Sequence, residues 1–362
     1  MTTTPLHDVH VELGAVLTDF AGWSMPLRYD SELAEHHAVR RAAGLFDLSH
    51  MGEIVVTGAA AGDVVDTAFV TRLSGIDVGR ARYTMLCNPD GGVIDDVIVY
   101  RRADQDFLVV ANAANRARVF DELVERADGR AEISDRSDDI ALIAVQGPRA
   151  AALVGSLGVD DVDAVRYYAG QDARVADVPV FLARTGYTGE DGFELFCAPG
   201  AAVDLWNRIA ETGAGAGLVP AGLACRDTLR LEAGMPLYGN ELSEDRTPFD
   251  AGLGRIVHLD GREFVGAEAL ARRAEEEGEV RLVGLVADGR RAPRSGNRVL
   301  GTDGEPVGVI TSGALSPTLE HPVAMAYLTT GRPADGESLV ADVRGNEVPV
   351  RVADLPFHRR DR

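Results

Sequence analysis

Three stretches of the sequence combine glycine-shaped backbone with ionisable side chains, and chemistry is legible there first. In Gly91-Gly92-Val93-Ile94-Asp95-Asp96-Val97-Ile98-Val99-Tyr100 the apolar residues read as a strand, so two adjacent carboxylates fall on opposite faces. One of Asp95 and Asp96 can face solvent and the other a cleft, where apolar neighbours make it costly unless it is paired or functional. Solvated decoration after a turn is the plainer alternative. In Arg184-Thr185-Gly186-Tyr187-Thr188-Gly189-Glu190-Asp191-Gly192-Phe193-Glu194-Leu195-Phe196 the glycines permit a tight loop into a strand, with Glu194 between Phe193 and Leu195. A carboxylate held inward there can accept two N–H bonds from an aminopyrimidine edge; under ordinary alternation it would stand in water. Tyr187 offers a flat face for stacking, or simple packing. Pro220 to Gly234 reads as a helix with Arg226 and Arg230 one turn apart. Arg226 suits an anionic or electron-rich ligand, or else an ion pair with Asp227, Glu232 or another carboxylate.

Composition removes other chemistries. The 362 residues carry 57 acidic and 36 basic side chains, a formal charge of −21, and every basic residue is Arg. Without a lysine there is no pyridoxal-phosphate Schiff base, no amine nucleophile and no P-loop lysine. Nor is there an amine to carry lipoate or biotin, so a swinging-arm cofactor must come on a partner. The acidic balance disfavours nucleic acid and anionic membranes as partners. Apolar runs fall short of spanning length, and Met1 to Pro5 leads straight into His, Asp and Glu, which predicts a cytoplasmic protein. Cys87, Cys197 and Cys225 are widely spaced in apolar surroundings and read as buried thiols. Gly213-Ala214-Gly215-Ala216-Gly217 follows a helix, not a strand, and reads as a helix terminus. Gly-x-Ser-x-Gly and His-Glu-x-x-His are both missing, and Glu35-His36-His37 is expected on a solvated helix face.

The elements that must position these residues alternate between strand and helix. A helix is predicted from about Ser31 to Ala43, stopped by Gly44. Strands follow at Glu53–Thr57, Ala81–Cys87, Val93–Tyr100 and Phe107–Ala111, interleaved with helices at Ala59–Phe69 and Asn115–Arg126. Asn88-Pro89-Asp90-Gly91-Gly92 is a turn that makes Tyr83 to Tyr100 a β-hairpin. Strand Ile140–Val145, helix Pro148–Leu157, a strand pair around Asp177-Val178-Pro179, strand Phe193–Cys197 and helix Ala201–Thr212 complete an α+β pattern with antiparallel pairing. A charged linker is predicted near Arg272 to Glu279. Beyond it, short strands at Val280–Val286, Arg298–Leu300, Val307–Ser312, Ala324–Leu328, Ser338–Val343 and Val348–Val352 predict a small all-β barrel.

Several blocks together closely resemble the glycine cleavage system T-protein family, the folate-dependent aminomethyltransferases. They are Phe20-Ala21-Gly22-Trp23, Leu45-Phe46-Asp47-Leu48-Ser49-His50-Met51-Gly52-Glu53, Gly91 to Tyr100, Ala144-Val145-Gln146-Gly147-Pro148, Arg184 to Glu194, Arg226 to Gly239, Ile310-Thr311-Ser312-Gly313 and Ser316-Pro317. The resemblance covers essentially the whole chain. It implies a three-lobed fold around a tetrahydrofolate channel, with residues 1–272 as a folate-binding region of two interleaved α+β lobes and 280–358 as a C-terminal β-barrel domain. It also implies transfer of the one-carbon unit from the aminomethylated lipoyl arm of H-protein to tetrahydrofolate, giving 5,10-methylenetetrahydrofolate and ammonia, with no metal. By position, Asp96 matches the catalytic carboxylate and Glu194 the residue gripping the pterin, while Arg226, Tyr187, Asn112 and Tyr83 match ligand-lining positions. Tyr167 is a further match that its neighbour Tyr168 makes ambiguous by one, and Arg360 best matches a C-terminal residue near the folate. Folate-dependent demethylases of methylated amines or sulfonium compounds share much of such a site. A non-enzymatic iron–sulfur assembly branch carries a Lys-Gly-Cys-containing signature that a chain without lysine cannot have.

Overall fold

In the computed structural model, which describes residues 1–276, 280–329 and 338–360, the carboxylate-bearing hairpin closes as its turn chemistry requires. Asn88 Oδ1 accepts the backbone N–H of Asp90 (3.0 Å) and of Gly92 (2.9 Å), and Gly91 supplies the left-handed φ of +86°. The chain divides into two units: Met1–Leu86 with Asp96–Arg226, and Cys87–Asp95 with Asp227–Arg362.

Among the described residues the first unit carries a two-stranded hairpin, Val16–Phe20 with Trp23–Arg28, and two larger sheets. One has five strands in the order Ala81–Cys87, Val93–Ala103, Asp106–Ala111, Gly52–Thr57 and Glu132–Asp135. Its register pairs Ile98 with Val110 and Val110 with Glu53. Residues opposite one another on antiparallel strands project to the same side, and alternate residues along a strand share a face. Asp96, Ile98, Tyr100, Val110 and Glu53 therefore lie on one face of this sheet. The second sheet has six strands, in the order Gly170–Val175, Val178–Ala183, Gly192–Cys197, Ala141–Gln146, Ala43–Asp47 and Leu218–Pro220, the last pair parallel. Leu45, Ile143, Val145, Phe193 and Leu195 pack with Trp206 of the helix Ala202–Ala214 into its core.

Two expectations change here. The opening helix is Glu32–Arg41, capped by Ser31, and Ala43 instead starts a strand. That strand is buried at every position, so it lacks the alternation that would have disclosed it. Glu35 and His36 are buried, not solvated. Glu35 accepts the backbone N–H groups of Tyr29 (2.8 Å) and Gly222 (2.9 Å), so its carboxylate staples loop backbone inside the unit.

The second unit carries a closed barrel of the strands Arg281–Ala287, Pro322–Leu328, Pro306–Leu315, Arg298–Leu300, Ser338–Val343 and Asn346–Ala353, with the first and last paired. Val283, Leu285, Val299, Ile310, Ala326 and Val350 fill its interior, the inward half of each alternating pattern. Of the predicted linker, Arg272 to Glu275 ends the helix Ala267–Glu275, and 277–279 lie outside the described residues.

Candidate active site in the first unit

Asp96 is fixed from two sides. Tyr83 Oη donates to its Oδ2 at 2.9 Å, and Asn112 Nδ2 donates to its Oδ1 at 2.9 Å and to its backbone oxygen at 3.1 Å. Both partners are residues that the resemblance singled out. Burial, then the Asp96 charge, push the Tyr83 hydroxyl far above the usual phenol range, so it remains a donor. Asp95, on the opposite face, is fully buried, whereas Asp96 is partly exposed.

Glu194 lies inward, at 8% exposure on a strand buried throughout. Thr185 Oγ1 donates to its Oε2, and Tyr100 Oη approaches the same oxygen at 3.4 Å while bonding Thr185 Oγ1 at 2.8 Å. Among the described residues these contacts fall on Oε2, which leaves Oε1 as an acceptor. Burial raises the Glu194 carboxyl; the Thr185 hydrogen bond, the Arg226 charge and the Tyr100 contact oppose it.

The loop before Glu194 is pinned by one buried side chain. Gln146 Nε2 donates to the Thr185 carbonyl at 3.0 Å, and Thr188 Oγ1 donates to Gln146 Oε1 at 3.0 Å. A Cβ at Gly186 would stand 1.9 Å from Gln146 Oε1, so a residue without a side chain is required there. Arg40 donates to the Thr188 carbonyl (2.7 Å) and Glu190 (2.8 Å), and Arg184 grips Asp191 at 2.7 and 3.0 Å. This loop presents Tyr187, and the Arg226 guanidinium lies 4.8 Å from its ring centroid. The ion-pair alternative is realised instead by Arg230, buried in the second unit against Asp227 (2.7 Å) and Glu241 (3.0 Å).

Tyr167 is 48% exposed and meets Tyr168 edge to face. Its neighbour Tyr168 raises the hydroxyls of both Tyr83 and Tyr100 electrostatically. Arg360 belongs to the second unit. Two buried groups on the Ser49-His50-Met51-Gly52-Glu53 block were assigned no role by sequence reasoning. His50 is held neutral: burial takes its pKa down to about 4, and Arg226 pushes the same way against Asp47. Glu53 is fully buried, and both its carboxyl oxygens are without a hydrogen-bond partner among the described residues. The signal was the register, which sequence alone does not supply.

Among the described residues no group of three or more His, Cys, Asp or Glu is placed to hold a metal ion, and no helix is long and apolar enough to cross a membrane. What the geometry offers is a fixed carboxylate, a second carboxylate with a spare acceptor oxygen, and an arginine–tyrosine stack. Residues 6–261 match the GCVT N-terminal domain and residues 281–358 the glycine cleavage T-protein C-terminal barrel domain. The chain is 59% identical over 360 residues to an aminomethyltransferase of Saccharopolyspora erythraea, covering 99% of this chain and 98% of that protein. It is 44% identical to an aminomethyltransferase of Moorella thermoacetica over 99% and 98% of the two. The glycine cleavage system aminomethyltransferase T of Bartonella henselae, 35% identical, superposes with a TM-score of 0.93 over 99% of this chain and 98% of that one. With both family domains matched in order and near-complete coverage of such relatives, the chain belongs to the glycine cleavage T-protein family of aminomethyltransferases.

Proposed function

We propose that the first unit binds tetrahydrofolate where the Asp96 face of the five-stranded sheet meets Glu194 of the six-stranded sheet beside Tyr100, and that Asp96 is the catalytic carboxylate for transfer of the one-carbon unit from S-aminomethyl-dihydrolipoyl H-protein. The products are 5,10-methylenetetrahydrofolate, ammonia and the dihydrolipoyl carrier. The observation that carries this reading is the double anchoring of Asp96 by Tyr83 and Asn112. The donor set fits a reduced pterin: Glu194 Oε1 is a spare acceptor for N–H groups of the aminopyrimidine edge, and Tyr187 with Arg226 offers a flat, partly cationic wall.

Tetrahydrofolate supplies the amine nitrogens that receive the carbon. The residues supply electrostatics and position. Positive charge develops at the one-carbon unit as its bond to sulfur is exchanged for one to nitrogen, and a carboxylate already oriented lowers that barrier without reorganising. Asp96 can also orient or accept a proton from the attacking amine. Glu194, Tyr187 and Arg226 fix the ring so that the reacting atoms meet, which contributes as much as proton transfer. Residues 1–272 serve as the folate-binding region, with Tyr167 among its candidate lining residues, and 280–358 as an accessory barrel. A lysine-free chain takes its lipoyl arm from the carrier and works in the cytoplasm beside it.

The test is ammonia release from the aminomethylated lipoyl carrier, with and without tetrahydrofolate. Strong folate dependence, with one methylene group appearing on folate per ammonia released, is the expected result. Release unaffected by folate, or efficient demethylation of a methylated amine in place of the carrier, would overturn it.

A further inference from the structure

The reaction above leaves unused the placement of Glu53, which shares the face of the five-stranded sheet that carries Asp96. It begins the strand Gly52–Thr57 and pairs with Val110, which pairs with Ile98, one alternate position from Asp96. Its backbone is satisfied: the N–H donates to Ser137 Oγ at 2.8 Å and the carbonyl accepts from Arg136 N at 2.8 Å. The side chain is not. It is fully buried, with neither carboxyl oxygen partnered among the described residues. Arg116, whose charge acts on the Glu53 carboxyl, is already engaged by Asp135 (2.8 Å) and Asp138 (2.9 Å). A buried polar group left unmade costs stability, and its retention calls for a partner that the protein alone does not supply.

We propose that the Glu53 carboxyl is a binding group for the folate ring, donating a hydrogen bond to an acceptor atom of the reduced pterin such as its ring carbonyl. This rests on the reading of that face as the folate site. Burial first, and then the carboxylates of Asp135, Asp138 and Glu194, drive the Glu53 carboxyl well above its usual range against the pull of Arg116. A carboxyl buried without a partner is held as the neutral acid, with one O–H to give. Glu194 and Glu53 then have complementary parts. The first accepts from ring N–H groups, and the second donates to a ring acceptor; a planar heterocycle carrying both kinds of edge satisfies the two together.

Calorimetric titration with tetrahydrofolate under reducing conditions tests this on the full chain, comparing wild type with Glu53→Gln, Glu53→Met and Glu194→Ala. Glutamine keeps a neutral donor at the same reach, so Glu53→Gln is expected within about threefold of wild-type Kd. Methionine keeps the volume and removes the donor, so Kd should rise about tenfold or more. The melting temperature of Glu53→Met should hold or rise, because an unpartnered buried carboxyl is gone. The proposal is overturned if Glu53→Met binds as wild type does, if Glu53→Gln weakens binding as much as Glu53→Met, or if Glu53→Met lowers the melting temperature. If only the Glu53 variants are silent while Glu194→Ala weakens binding, Glu53 alone loses its role. If Glu194→Ala is silent too, the folate reading of the face falls with it.

Discussion

A carboxylate stabilises developing positive charge only if it is oriented before the charge appears, and at Asp96 two donors on separate strand ends do that orienting. Glu194 is built differently, as an inward acceptor beside Arg226, so its loss should be felt in binding. Glu194→Ala is expected to raise the tetrahydrofolate Kd roughly 10- to 100-fold, since hydrogen bonds to a charged group are worth about 1.5–3 kcal/mol. Calorimetry reads this directly, and kcat at saturating folate should change less than KM. His50 gives a pH prediction. Its folded-state pKa of about 4 lies below the ordinary imidazole value of about 6.5, so the unfolded chain takes up a proton first as pH falls. Its contribution is complete above about pH 6.5 and shrinks by on the order of 3 kcal/mol as pH falls to about 4. Denaturant melts of His50→Asn against wild type should show a flatter loss across that window.

The loop Thr185–Glu190 depends on two strands of the six-stranded sheet meeting around Gln146, with Gly186 giving the side-chain amide its room. Gly186→Ala drives a Cβ into Gln146 Oε1, an overpacking that typically costs about 1–3 kcal/mol. A lower melting temperature together with a higher KM for folate is expected, because the displaced loop carries Tyr187. Much of this architecture was legible in the sequence. The Asn88 to Gly92 turn, the Arg226 helix and the barrel strands announced themselves by turn chemistry and alternation. The strand Ala43–Asp47 and the hairpin Val16–Phe20 with Trp23–Arg28 did not; the first is buried on both faces and the second is short and carries Pro26 inside a strand. The Asp95–Asp96 pair was legible as carboxylates on the two faces of a strand, and it was the family resemblance, not the pattern, that singled out Asp96. Glu53, at the start of a strand, reads as an ordinary surface glutamate until the register places it opposite Val110.

The whole molecule pairs its acidic surplus of −21 with arginines used as internal clamps. In the second unit Arg230 is buried between Glu241 and Ser312, so Arg230→Ala leaves the Glu241 carboxylate buried and unpaired. Removing one partner of such a pair costs about 3–5 kcal/mol, and calorimetric melting should show a transition several degrees lower. Arg230→Met with Glu241→Leu, which removes both charges, should restore much of it. Aminomethyl transfer is the property of the complete chain, and the most direct measurement is turnover with the aminomethylated lipoyl carrier and tetrahydrofolate by wild type and Asp96→Asn, alongside folate affinity. If Asp96 is the catalytic carboxylate, Asp96→Asn binds folate within a few-fold of wild type while ammonia release falls by about 10²-fold or more. Near-normal release by Asp96→Asn would contradict it.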